Sequence, residues 1–184
     1  MTRGIILGAV AVIILALVGA YLAVLAGLIP ANADSKPSPL ERWAAGKSLR
    51  ATIHRQISLE DPNPLPVTDA NLDAGIKLYA ANCAACHGAA DAKMSNVASG
   101  LYQRAPQLAR HGVEDDAEAE TYWKIEHGIR FTGMPSFGDS FNKQQIWQLT
   151  MLLKHMDSLP PKPAATFKKL PSQATKQRKQ SAGM

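Results

Sequence analysis

Apolar and polar positions divide the 184 residues into four stretches. From Gly4 to Leu28 no residue is charged, and Ile, Leu, Val, Ala and Gly make up nearly all of the run. At 25 residues it exceeds the about 20 that a helix needs to cross a hydrocarbon core. A secretory signal carries an apolar run of only about 7–15 residues. Length therefore favours a retained anchor, although Ala31-Asn32-Ala33 has the small residues of a cleavage site. Residues 1–33 are read as a membrane anchor or uncleaved signal.

Residues 34–68 follow a different pattern. Ser38-Pro39-Leu40-Glu41 has the form of a capping box with proline at the first helical position, which predicts a helix to about Gln56. Its apolar face is ragged and interrupted by Gly46, as in a helix lying along a folded domain or a membrane surface. The run Asp61-Pro62-Asn63-Pro64-Leu65-Pro66 predicts an extended linker, because a residue before proline is pushed out of the helical region. Residues 69–160 return to helical spacing. Leu72, Ile76, Tyr79 and Ala80 recur on one face, helices are predicted over Asp116–His127 and Lys143–Asp157, and a loop occupies about Gly88 to Gly112. No alternating run argues for a sheet, so the fold class is all-α. Residues 161–184 are rich in Lys, Pro, Gln and Ser with little to bury, which predicts a disordered basic tail.

The charge distribution changes the meaning of the net +5. Residues 69–160 hold eight Lys or Arg against eleven Asp or Glu, whereas residues 161–184 hold six basic residues and no acidic one. The central domain is mildly acidic and lacks the basic face that nucleic-acid binding needs, so no nucleic-acid partner is expected. Glu114, Asp115, Asp116, Glu118 and Glu120 form an acidic segment suited to steering a basic partner or simply to being solvated.

The two cysteines of the chain carry the chemistry. Cys83-Ala84-Ala85-Cys86-His87 has the spacing of a haem c attachment motif: two thiols one helical turn apart each reach a vinyl group, and the next residue aims its imidazole at the iron. A zinc site would want further Cys or His ligands at suitable spacing. A thioredoxin-like pair would want a preceding strand, where a helix is read here. Covalent haem attachment takes place outside the cytoplasm, which puts the N-terminus inside and the domain on the periplasmic side of the inner membrane.

A sixth iron ligand should be a soft donor in a downstream loop. Met134 fits, in Thr132-Gly133-Met134-Pro135, where Gly and Pro hold the backbone off a helix. Met94 lies too near His87 to pass round the ring edge, and Met151 and Met156 fall on the last helix, where packing is the usual role of Met. His111, in a polar loop, and His127 and His155, in helical contexts, are rival ligands.

With CxxCH, a Gly-Met-Pro loop and a Trp-bearing final helix in this order, residues 69–160 resemble a small bacterial class I cytochrome c. The resemblance implies one covalent haem c with its iron between His87 and Met134. It implies that the Pro106 carbonyl accepts a hydrogen bond from His87, and that Gly75 and Tyr79 lie where the first helix crosses the last, against Ile146, Leu149, Thr150 or Leu153. Residues 34–68 have no counterpart in that pattern.

His plus Met saturates the iron and leaves no open position for a substrate, so electron transfer rather than enzymatic catalysis is expected, at a potential above that of bis-His haems. Expected partners are redox proteins of the membrane or periplasm, met by a free carrier or by a haem subunit of a larger dehydrogenase or oxidase complex. A haem-based ligand sensor would require Met134 to leave the iron easily.

Overall fold

The computed structural model describes residues 2–58, 60 and 62–172. Among them every regular element is a helix: α1 Thr2–Leu25, α2 Pro39–Gln56, α3 Asp69–Asn82, α4 Ala84–His87, α5 Asn96–Ser99, α6 Glu118–His127, α7 Lys143–Lys154 and α8 Pro161–Lys168. Compact units divide after Ser35, and the second begins at Lys36 and takes in α2 with the helices that follow it.

α1 is by itself long and apolar enough to cross a membrane, with 23 residues from Arg3 to Leu25 and none buried. At about 1.5 Å per residue it spans roughly 35 Å.

α2 occupies the span that its cap predicts. The Glu41 amide donates to Ser38 Oγ at 3.1 Å, and the Ser38 amide to Glu41 Oε2 at 3.4 Å. Ile53 is its one buried residue. Two polar contacts tie the helix to the rest of the unit: Trp123 Nε1 donates to Gln56 Oε1 at 2.9 Å, and the Tyr102 hydroxyl donates to the Glu41 carboxylate at 2.7 Å. The linker is pinned too, since Asn63 Nδ2 donates to the Trp147 carbonyl at 3.0 Å.

The core lies where α3 crosses α7 and α6 packs alongside. Ile76 and Tyr79 of α3 meet Ile146, Leu149, Leu152 and Leu153 of α7 and Ile125 of α6 in one cluster, all with less than a tenth of their surface exposed, and Leu72 of α3 is buried as well. Gly75 permits the crossing. A β-carbon there would stand 2.4 Å from the Gln148 carbonyl oxygen and 3.1 Å from Leu152 Cβ. Nearest to Gly75 are thus Gln148 and Leu152, which lay outside the expected set, whereas Tyr79 shares the core cluster with the expected Ile146, Leu149 and Leu153. A closest approach brings backbone onto backbone, while the larger apolar side chains turn aside into the core.

α6 begins at Glu118 rather than Asp116, because Ala117 is extended (φ −62°, ψ 137°) and the Asp116 amide donates back to the Val113 carbonyl at 3.1 Å in a turn; the Asp116 carboxylate meets Lys124 Nζ at 3.0 Å. α7 stops at Lys154, before the expected Asp157, and opens on a capping box of Asn142 with Gln145. The tail corrects the expectation of disorder over 161–184. α8 forms within it, with Pro161 at its first position and Pro163 and Phe167 buried. The Phe167 ring meets Tyr79 edge-on at 5.9 Å. Pro163 and Phe167 are four residues apart, enough for one helical face to find the core. Residues 173–184 of the expected tail lie outside the described residues.

Candidate haem site

α3 leads through Cys83 into the single turn α4, which places both thiols and His87 on consecutive turns of nearly continuous helix. Both cysteines are free and half-buried. Burial, with a smaller push from Cys86, raises the Cys83 thiol to about 12. Such a thiol is the opposite of the low-pKa nucleophile of a redox pair.

His87 is fixed from several directions. Its Nδ1 lies 2.9 Å from the Pro106 carbonyl, which can only accept. The proton is therefore on Nδ1, and Nε2 keeps the bare lone pair that a metal takes. Burial lowers the pKa of the imidazole against the opposing effect of this hydrogen bond, which favours the neutral ligand form. The backbone around it is held as well. Tyr79 donates its hydroxyl to the Gly88 carbonyl at 2.8 Å, with the His87 carbonyl at 3.2 Å. Leu108 donates its amide to the His87 carbonyl at 3.2 Å, and Gln107 Nε2 donates to the Cys86 carbonyl at 3.1 Å. Ser95 Oγ donates to the Ala85 carbonyl. Gly88 turns the chain at φ +79°, a conformation a β-carbon disfavours.

Met134 sits in a loop that closes on itself. The Ile129 amide donates to the Met134 carbonyl at 3.1 Å, the Met134 amide to Thr132 Oγ1 at 3.1 Å, and Thr132 Oγ1 to the Ile129 carbonyl at 2.7 Å. Met134 and Cys83 both pack, half-buried, against the same core cluster. Leu101 links the two loops, because a β-carbon on Gly133 would lie 2.5 Å from its side chain.

Sequence reasoning named Cys83, Cys86, His87, Pro106 and Met134. It missed the hydroxyl of Tyr79 as the tie to the attachment segment, the amide of Gln107, and the hydroxyl of Thr132 under the Met loop. Thr132, two residues before Met134, is a recognisable side-chain turn signal. The Tyr79 and Gln107 contacts depend on tertiary placement and leave no local mark.

Of the rival ligands, His127 is on the exposed end of α6, its ring tilted against Trp123 at 4.8 Å and its Nε2 3.5 Å from Glu126. His111 is exposed. Met151 and Met156 are core residues. The acidic segment is largely occupied. Lys124 pairs with Asp116 and, at 2.7 Å, with Glu120, and Glu118 accepts from the Asn63 amide at 3.5 Å.

The donor set suits a metal that brings most of its own ligands. Among the described residues no three His, Cys, Asp or Glu side chains converge on a point. Met94, Val97 of α5 and Phe131 stand exposed in the segments that follow His87 and precede Met134, apolar surface of the kind a porphyrin covers. Residues 70–151 match the family described as cytochrome C oxidase, cbb3-type, subunit III. They are a cytochrome c domain. This domain carries haem c with its iron, and its business is the transfer of electrons. No curated protein and no solved structure matches the chain.

Proposed function

We propose that the chain is a membrane-anchored, single-haem electron carrier that is not itself an enzyme. Cys83 and Cys86 would hold the group by adding their thiols across its two vinyl groups, each S–H becoming a thioether S–C with the proton retained on the neighbouring carbon. His87 and Met134 would ligate the iron, and Pro106 would orient the imidazole. Bound there, the haem supplies a one-electron ferric/ferrous couple. The chain's own residues keep Nε2 of His87 deprotonated, hold Met134 in a closed turn, and provide apolar walls. The observation that carries this reading is the hydrogen bond from His87 Nδ1 to the Pro106 carbonyl, within a CxxCH segment clamped by Tyr79 and Gln107.

α1 supports an anchor in the inner membrane with the haem domain on the periplasmic side, where membrane redox proteins are the partners. A second reading, a haem subunit of a larger oxidase complex, is favoured by the description of the matched family. Acidified acetone should leave the colour and one haem per chain on the protein; colour passing into the solvent would refute the covalent haem. Purification in mild detergent decides between the readings, since stoichiometric oxidase subunits would accompany a subunit and be absent from a free carrier.

A further inference from the structure

α2 presents two unlike faces. Leu49, Thr52 and Ile53 are turned inward, while Glu41 and Gln56 serve as hydrogen-bond acceptors for Tyr102 and Trp123. The opposite face carries Leu40, Trp43, Lys47, Arg50 and Arg55, related by steps of three, four and five residues, and all are exposed. Leu40 shows 72% and Trp43 62% of its surface. Outside α1 these two belong to the few large apolar side chains left open, and no haem loop lies next to them in sequence. Lys47, Arg50 and Arg55 make no ion pair among the described residues, and no Asp or Glu lies on this face.

We propose that this face of α2 rests on an anionic lipid surface. The proposal relies on α1 being a retained anchor, as argued above. Thirteen residues separate Leu25 from Pro39, a reach of at most about 45 Å when extended, so α2 is held close to the bilayer that α1 enters. Charge complementarity selects the lipid: three unpaired cations face outward, each worth about five-fold in affinity near an anionic surface. Trp43 has the amphipathic ring that settles among headgroups. Apolar and basic residues share this face rather than occupying opposite ones. The contact is therefore shallow, with the long basic side chains reaching phosphate while Leu40 and Trp43 enter the headgroup layer.

The test uses the full-length holoprotein in nanodiscs of phosphatidylcholine alone or with roughly one-third phosphatidylglycerol. Amide hydrogen exchange is followed across α2. In the anionic discs, amides from Trp43 to Ala51 should exchange about ten-fold more slowly or more. Combined Lys47→Glu, Arg50→Glu and Arg55→Glu should abolish the slowing with the haem spectrum unchanged. The combined glutamine variants, gentler to the helix, should reduce it. Leu40→Ser with Trp43→Ser should weaken it as well. Equal exchange in the two lipids, or slowing that survives charge reversal, overturns the proposal. So does protection that rises with protein concentration, which marks a second copy, or that appears only with a copurifying protein. Loss of the chain from the discs in alkaline carbonate would refute the anchor, a result distinct from an unprotected α2 on a retained chain.

Discussion

The two sides of the haem site are built in opposite ways. His87 is held from outside its own segment, by Pro106, Tyr79, Leu108 and Gln107, and Tyr79 is in turn covered by Phe167 from the far end of the chain. Met134 is held from within its own loop, by Thr132 and Ile129. A ligand fixed by tertiary contacts is positioned by the whole fold. Met134 packs half-buried against the core cluster, but its backbone is fixed by a local turn that can stay in place when the side chain is cut back. The attachment side should therefore tolerate substitution least, and the Met side should control the properties of the iron while leaving the fold in place.

The sharpest break of that comparison is His87→Ala, which should abolish stable holoprotein; a haem stain of the purified chain and its pyridine haemochrome spectrum would both show the loss. Met134→Ala should leave haem attached and the helices intact, yet open the iron, so that the reduced protein binds carbon monoxide readily where the native form resists. Met134→His should keep the iron low-spin and lower the midpoint potential, because imidazole favours ferric iron more than thioether does. If Met134→Ala unfolds the domain, the Met loop is more than a local device.

Tyr79→Phe tests the attachment side more gently. It removes the donor to the buried Gly88 carbonyl while keeping the ring under Phe167, and should cost about 1–2 kcal/mol in chemical denaturation. A shift in potential as large as that of Met134→His would contradict the division of labour. The smallest effect concerns Lys124, away from both ligands. Burial pushes its pKa down, but the hydrogen bonds and charges of Glu120 and Asp116 together outweigh it and raise the pKa. Its folded pKa therefore exceeds its unfolded one, so the stabilisation is complete below the ordinary lysine value near 10.5 and fades as pH rises through the higher folded value. Lys124→Met should remove that alkaline loss, a difference of less than about 1 kcal/mol for a partly exposed pair.

What the sequence reveals follows the same division between local and distant causes. The Ser38 capping box, the CxxCH turn and the Met134 loop are each written within a few residues, and each could be read in advance. The Pro106 contact was available only through family resemblance. Which residues of α7 meet Gly75 depends on how two helices cross, and the answer, Gln148 and Leu152, carries no hydrophobic signature at position 148. α8 was hidden because Pro163 and Phe167 are thinly spread through a basic, proline-rich segment, and their value appears only once Tyr79 is there to meet them.

Phe167 also sets an order in time. It is synthesised eighty residues after His87, roughly 4–16 s later at about 5–20 residues per second. For that interval Tyr79 lacks its final cover, and the support of the segment bearing both thiols is incomplete. The C-terminal helix is thus a latch that can close only after the rest of the domain has been made.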